Sequence, residues 1–177
     1  MATNYITDDV KKIIGAQSDW VEVFHPVEAS EVRRFFQAII DPNPRYWDPS
    51  RVKSERYATP VAPPGFPVNA VRRRPEELED PLDRSDKDPD FDGQSRWFRP
   101  GLPRVPVPLG ATLNGGYQYE FFSYAKVGER IMWRSRYHDV YQRDGKSGPI
   151  IFVVMEDEYA TSEGRPLLKA LNTQIMR

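Results

Sequence analysis

The sequence predicts an α+β fold: one amphipathic helix, then an antiparallel sheet with room to wrap it. Three observations lead there. Val32, Phe35, Phe36, Ile39 and Ile40 recur at helical spacing. After Pro108, four apolar or aromatic runs follow one another, parted by glycine-containing turns. The chain has 177 residues, which suits one domain that can bury a sizeable core without staples.

The elements follow in order. Thr7-Asp8-Asp9 before Val10, Ile13, Ile14 and Gly15 predicts a short capped helix. Trp20 to Phe24 reads as a short strand. Ser30 is the expected N-cap of a helix over Ser30–Ile40. Asp41-Pro42 should end it, because the residue before proline avoids the α region. Its one-sided pattern predicts a buried central helix with Phe36 and Ile39 inside. Strands are expected at Tyr117–Tyr124, in a run holding Ile131, Trp133, Tyr137 and Tyr141, and at Ile150–Tyr159 and Leu167–Ile175. Lys126–Glu129, Arg143–Gly148 and Ser162–Arg165 read as hairpin connections, which makes the sheet a meander.

Between helix and sheet lies a different composition. Eleven of the 17 prolines fall from Pro60 to Pro108. The stretch carries Arg72-Arg73-Arg74, then acidic residues from Glu76 to Asp92, and no sustained period. Yet Phe91, Trp97 and Phe98 are residues a solvated linker does not need. It reads as a long, partly ordered excursion, and such loops are usually functional or disordered. The arginines suit phosphate groups or a plain solvated loop.

Composition excludes several classes. The net charge of −1 argues against a nucleic-acid binder. No apolar run approaches the roughly 18 residues of a membrane span. Met1 to Val10 lacks a signal-peptide pattern, so a cytoplasmic setting is expected. Cysteine is absent, which removes disulfides and thiolate chemistry. His25 and His138 lie 113 positions apart, so no multi-histidine metal site is expected, and no cofactor. Both histidines read as strand residues at the surface.

Three segments in order carry a resemblance. They are Asp41-Pro42-Asn43-Pro44-Arg45-Tyr46, Ala62-Pro63-Pro64-Gly65-Phe66-Pro67 and Leu113-Asn114-Gly115-Gly116-Tyr117. Their order and spacing resemble the MaoC-like dehydratases, in particular the N-terminal fatty-acid-synthase-like dehydratase type, over roughly Val21 to Arg177. The resemblance implies a hot-dog fold, an antiparallel sheet wrapped around one central helix. It would form a single domain over 1–177, with 68–108 as an inserted loop. The implied chemistry is addition or removal of water at a 2-enoyl thioester. Such chemistry needs backbone N–H donors on the thioester carbonyl, a general base and an apolar tunnel for the acyl tail.

Two positions depart from the family pattern, Asp-x-Asn-Pro-x-His and Leu-His-Gly-Gly. Tyr46 stands where the first motif has histidine, and Asn114 where the second does. A phenol titrates near pH 10 and is a poor base at neutrality. Asp41 and Asn43 are what remains of the acid–base set. The resemblance therefore implies the non-catalytic subunit of an enoyl-CoA hydratase or dehydratase, shaping the acyl pocket with Tyr46, Pro63, Phe66, Asn114, Gly115 and Gly116. Its substrate would be an acyl-CoA or acyl carrier thioester. Its partner would be a second hot-dog subunit that keeps the Asp/His pair, or another copy of this chain.

Other readings stand beside these. Asp41 serves a turn as well as a vestigial site. Tyr46 and Trp47 suit packing, and Gly115-Gly116 suits a bend. For the whole chain, the alternatives are a self-sufficient homo-oligomeric hydratase using Asp41, an acyl-CoA thioesterase and an acyl-binding module without turnover. The aromatics Tyr117, Tyr119, Phe121, Phe122, Tyr124 and Trp133 are many for a free surface, so an interface is expected, with Arg134 and Arg136 at its rim.

Overall fold

The computed structural model describes residues 3–52, 56–71, 101–109, 112–146 and 148–177. Arg72-Arg73-Arg74, Phe91, Trp97 and Phe98, with most of the proline-rich excursion, lie outside the described residues. Helix α1 (Asp8–Ile13) starts where its cap predicts, with the Thr7 hydroxyl accepting from the Val10 N–H. Strand β1 (Val21–Glu22) follows, then α2 (Ala29–Ala38), a 3-10 turn (Pro44–Tyr46), α3 (Pro49–Val52) and α4 (Phe66–Ala70). The sheet is completed by β2 (Thr112–Phe121), β3 (Ile131–Gly145), β4 (Gly148–Thr161) and β5 (Pro166–Met176).

All pairings are antiparallel, in the spatial order β1-β3-β4-β5-β2. This corrects the meander. The β3–β4 and β4–β5 connections are hairpins, but β2 lies at the far edge, against β5. The whole connection over 122–130 therefore crosses the sheet, with a tight turn inside it at Lys126–Glu129, where the Glu129 N–H donates to Lys126 O. On the way it docks against earlier segments: Ala62 N–H donates to Ala125 O, and Gly128 N–H to Val27 O, each at 2.8 Å. Arg165, in the β4–β5 turn, ties the crossover down. It donates to Ser123 Oγ, to Tyr124 O and to both carboxylate oxygens of Glu129, a bidentate charge-assisted pairing.

Helix α2 differs from its sequence reading at both ends. Glu28, not Ser30, occupies the N-cap, and no side chain caps the helix. Val32 and Phe36 are buried, but Ile39 is 50% exposed and Ile40 is 87% exposed. The cause is local. The helix closes with Asp41 N–H donating to Phe36 O and Ile40 N–H to Gln37 O, and Ile40 sits at φ 56°. That left-handed closure usually employs glycine, and it swings both isoleucines off the helical face. Val32 and Phe36 pack with Val23, Val27, Ile131, Trp133 and Leu168 in one core cluster. A second cluster joins Val10, Leu102, Tyr137, Val140, Ile151 and Met155. Leu102 belongs to the returning end of the excursion, and the Tyr137 hydroxyl anchors that end by donating to Pro103 O at 2.7 Å.

A bulge at His138 reverses the alternation of β3, so Val140 is buried and Tyr141 only half-buried. His138 and His25 are exposed. Trp133 is core, which corrects its assignment to an interface, while Tyr124 is half-buried. Arg134 and Arg136 are paired with Glu158 and Glu156. The segment before β1 covers the free edge of β3, with Ser18 N–H on Ser135 O and Tyr137 N–H on Ala16 O. Among the described residues nothing covers the outer edge of β2 in this way. No helix among them is long and apolar enough to cross a membrane.

Candidate functional site

The closure of α2 delivers Asp41 to the head of a tight loop. Its Oδ1 accepts the Asn43 N–H at 3.2 Å, and the Asn43 Oδ1 accepts the Arg45 N–H at 3.1 Å. Successive Asx turns of this kind lead into the 3-10 turn, with Pro44 at its start. The turn brings Tyr46 back over Asp41, and its hydroxyl donates to Asp41 Oδ2 at 3.0 Å. Tyr46 is buried and stacks on Phe36, ring centres 6.0 Å apart. Asp41, Asn43 and Tyr46 thus form one hydrogen-bonded unit. Trp47, expected to pack, is 55% exposed instead.

Burial first, and then the hydrogen bond to Asp41, push the Tyr46 phenol up to about 12. It stays neutral throughout the physiological range and does not serve as a base there. A folded-state value raised above the unfolded 10 contributes stability that is present below pH 10. That stability should be lost as pH rises from about 10 to about 12. In an ultraviolet titration Tyr46→Phe should remove the most alkaline phenol and flatten this loss. An unchanged titration curve would show that Tyr46 is not held as described.

Phe66 shares a core cluster with Phe36 and Tyr46, and its N–H donates to Pro63 O at 2.9 Å. Phe66 is buried, with its ring edge-on to Phe35 at 5.8 Å. In this chain it is a core residue. Asn114, Gly115 and Gly116 lie on another element, β2, where the register slips at Gly115. Asn114 Oδ1 accepts the Gly116 N–H at 3.0 Å, and Gly116 sits at φ 117°. No hydrogen bond of Asp41, Asn43 or Tyr46 reaches these three among the described residues. A Cβ on Gly115 would lie 2.9 Å from Thr173 O and 3.1 Å from Ile175 Cγ1. Gly115→Ala should therefore push β2 off β5 and cost about 1–3 kcal/mol. Denaturant unfolding measures this, and a variant as stable as wild type would show the strand free to shift.

One residue escaped the sequence reading. Asn172, on β5, is 2% exposed and opposite Tyr117. Its Nδ2 donates to Gly116 O at 3.4 Å. Its signal was available: a polar residue in the apolar phase set by Leu168 and Ala170.

Residues 12–170 match the family model described as FAS1-like, dehydratase domain region. The chain belongs to this family. It is 22% identical to the UPF0336 protein of Thermobifida fusca (strain YX), over 88% of each. Among solved structures it resembles the ChsH1-ChsH2 complex of Mycobacterium tuberculosis, at TM-score 0.68 and 16% identity, covering 96% of this chain and 89% of that one. The HadBC (3R-hydroxyacyl-ACP dehydratase) complex of the same organism aligns at TM-score 0.60 and 17% identity, over 99% of each. A MaoC-like dehydratase of Rhodospirillum rubrum aligns at 0.58 and 13%, over 92% and 91%. The fold is the hot-dog fold expected from the sequence, and these neighbours include two-protein complexes.

Proposed function

We propose that this chain is the acyl-binding, non-catalytic subunit of a heteromeric enoyl-thioester hydratase or dehydratase. The observation that carries the reading is the Tyr46–Asp41 hydrogen bond. It couples the motif carboxylate to a neutral phenol, where acid–base work at neutral pH needs a group that titrates nearby. In hydration, water adds its oxygen to the β-carbon of the enoyl thioester while the α-carbon gains a proton. A second hot-dog subunit with an intact Asp/His pair would move those protons. This chain would supply a wall of the acyl pocket and an edge strand for assembly. Its ten-residue β2, whose outer edge is uncovered among the described residues, is suited to strand pairing. The likeness to two heteromeric complexes supports this partnership. The excursion over 68–108, anchored through Leu102 and Pro103, would cover the pocket or the interface. The thioester would be carried by coenzyme A or an acyl carrier protein.

In the complex, Asp41→Ala should keep activity within about threefold of wild type. It should also lower stability by about 1–2 kcal/mol through the lost loop hydrogen bonds. A fall of about 100-fold with partner binding intact would make Asp41 a catalytic base and overturn the reading.

A further inference from the structure

Two arginines bracket two tyrosines on one surface. The Arg45 guanidinium lies over the Tyr124 ring, 5.6 Å from its centre, and that of Arg56 over the Tyr57 ring at 5.8 Å. The two rings meet edge to face at 5.5 Å, and the Tyr57 hydroxyl oxygen accepts the Tyr124 N–H at 3.3 Å. These side chains come from three segments: the motif turn, the loop over 56–62 and the crossover after β2. Backbone bonds hold the segments together. Val61 N–H donates to Arg45 O at 3.2 Å, Ala62 N–H to Ala125 O at 2.8 Å and Val127 N–H to Pro60 O at 3.4 Å.

Lys126 adds a third cation. It and Tyr124 flank the buried Ala125 and are themselves half-buried. Arg45 is half-buried and Arg56 exposed, so the patch is open to solvent. Two carboxylates of the same segments are already engaged. Glu129 gives both its oxygens to Arg165, and Asp48 Oδ1 accepts from Ser50. Arg56 and Lys126 form no ion pair among the described residues. Stacking holds a guanidinium in place without using up its N–H donors, which suit the oxygens of phosphate. The patch also borders the candidate site, because Arg45 directly precedes Tyr46, whose hydroxyl donates to Asp41.

We infer that Arg45, Arg56 and Lys126 hold the phosphate at the end of the pantetheine arm that carries the thioester. The inference rests on the acyl-binding role proposed above and names the part of the substrate bound here. That phosphate is common to coenzyme A and to the prosthetic arm of an acyl carrier protein. An acyl tail and a pantetheine arm offer a cation nothing to pair with, whereas the phosphate answers all three.

The test is equilibrium binding to the full chain, alone and co-expressed with its partner. The probes are octanoyl-pantetheine, which has no phosphate, octanoyl-phosphopantetheine, octanoyl-CoA and octanoyl carrier protein. The wild type should bind octanoyl-phosphopantetheine about 10-fold or more tighter than octanoyl-pantetheine. Added salt should shrink that margin. Joint Arg56→Gln and Lys126→Gln replacement should remove it, with melting followed to confirm folding. The same double variant identifies the source, since only the carrier that the patch serves should lose affinity. A margin that survives in the double variant, or affinity lost for neither carrier, would overturn the inference. Equal affinity for all four probes in the wild type would overturn it too and leave the acyl-binding role standing. Binding of none of them would overturn both.

Discussion

Phe36→Asp should yield no folded protein. Phe36 is 9% exposed, lies one turn from the fully buried Val32 and stacks on Tyr46. Removing such a ring costs about 3–5 kcal/mol as a cavity alone. A carboxylate left there without a partner adds several kcal/mol more. The sum approaches or exceeds the whole stability of an ordinary domain, about 5–15 kcal/mol. Ile39→Asp, three positions on, should be mild. Ile39 is half-exposed and stands at the C-cap, so the expected cost is about 0.5–1 kcal/mol, part of it from a negative charge at a helix C-terminus. Circular dichroism melts of the two variants decide the matter. If Phe36→Asp melts with wild type, that helix face is not core. If Ile39→Asp fails to fold, the helix extends further than the structure shows.

That pair also marks where sequence reasoning reached its limit. Helical spacing places Val32 and Phe36 on the inner face, and they are there. The same spacing places Ile39 inside, and it is not. The left-handed closure at Ile40 is a backbone event that a β-branched residue gives no reason to expect. Strand existence was legible because the apolar runs are long and bounded by turn residues. Strand order was not. Lys126–Glu129 does form a tight turn, but the strands on either side of it do not pair, and only the pairing of β2 with β5 makes the connection a crossover. The bulge at His138 was hidden for the same reason, since one extra residue shifts the alternation without changing composition.

The candidate site divides along similar lines. The replacement of a histidine by Tyr46 is plain in the sequence. Its hydrogen bond with Asp41 is not, because residues five apart meet only when a 3-10 turn folds one over the other. That bond gives the substitution its physical content. Tyr46 plugs the core against Phe36 and holds the loop, which is work a neutral phenol does well. Asn172 shows the opposite case: its inward phase could be counted along β5, but its orphan oxygen needed the neighbouring strands in place.

The reading proposed above places the acid–base pair on another chain. It is tested most directly by steady-state hydration of an enoyl-CoA, followed by ultraviolet absorbance. The assay compares this chain alone, its complex with a hot-dog partner bearing an intact Asp-x-Asn-Pro-x-His motif, and the same complex with the partner's motif histidine changed to alanine. The lone chain should show no turnover above background, and the complex robust turnover. The histidine variant should lose about 10²–10⁴-fold, the range expected for removal of a general acid–base group. Robust hydration by this chain alone, abolished by Asp41→Asn, would contradict the reading.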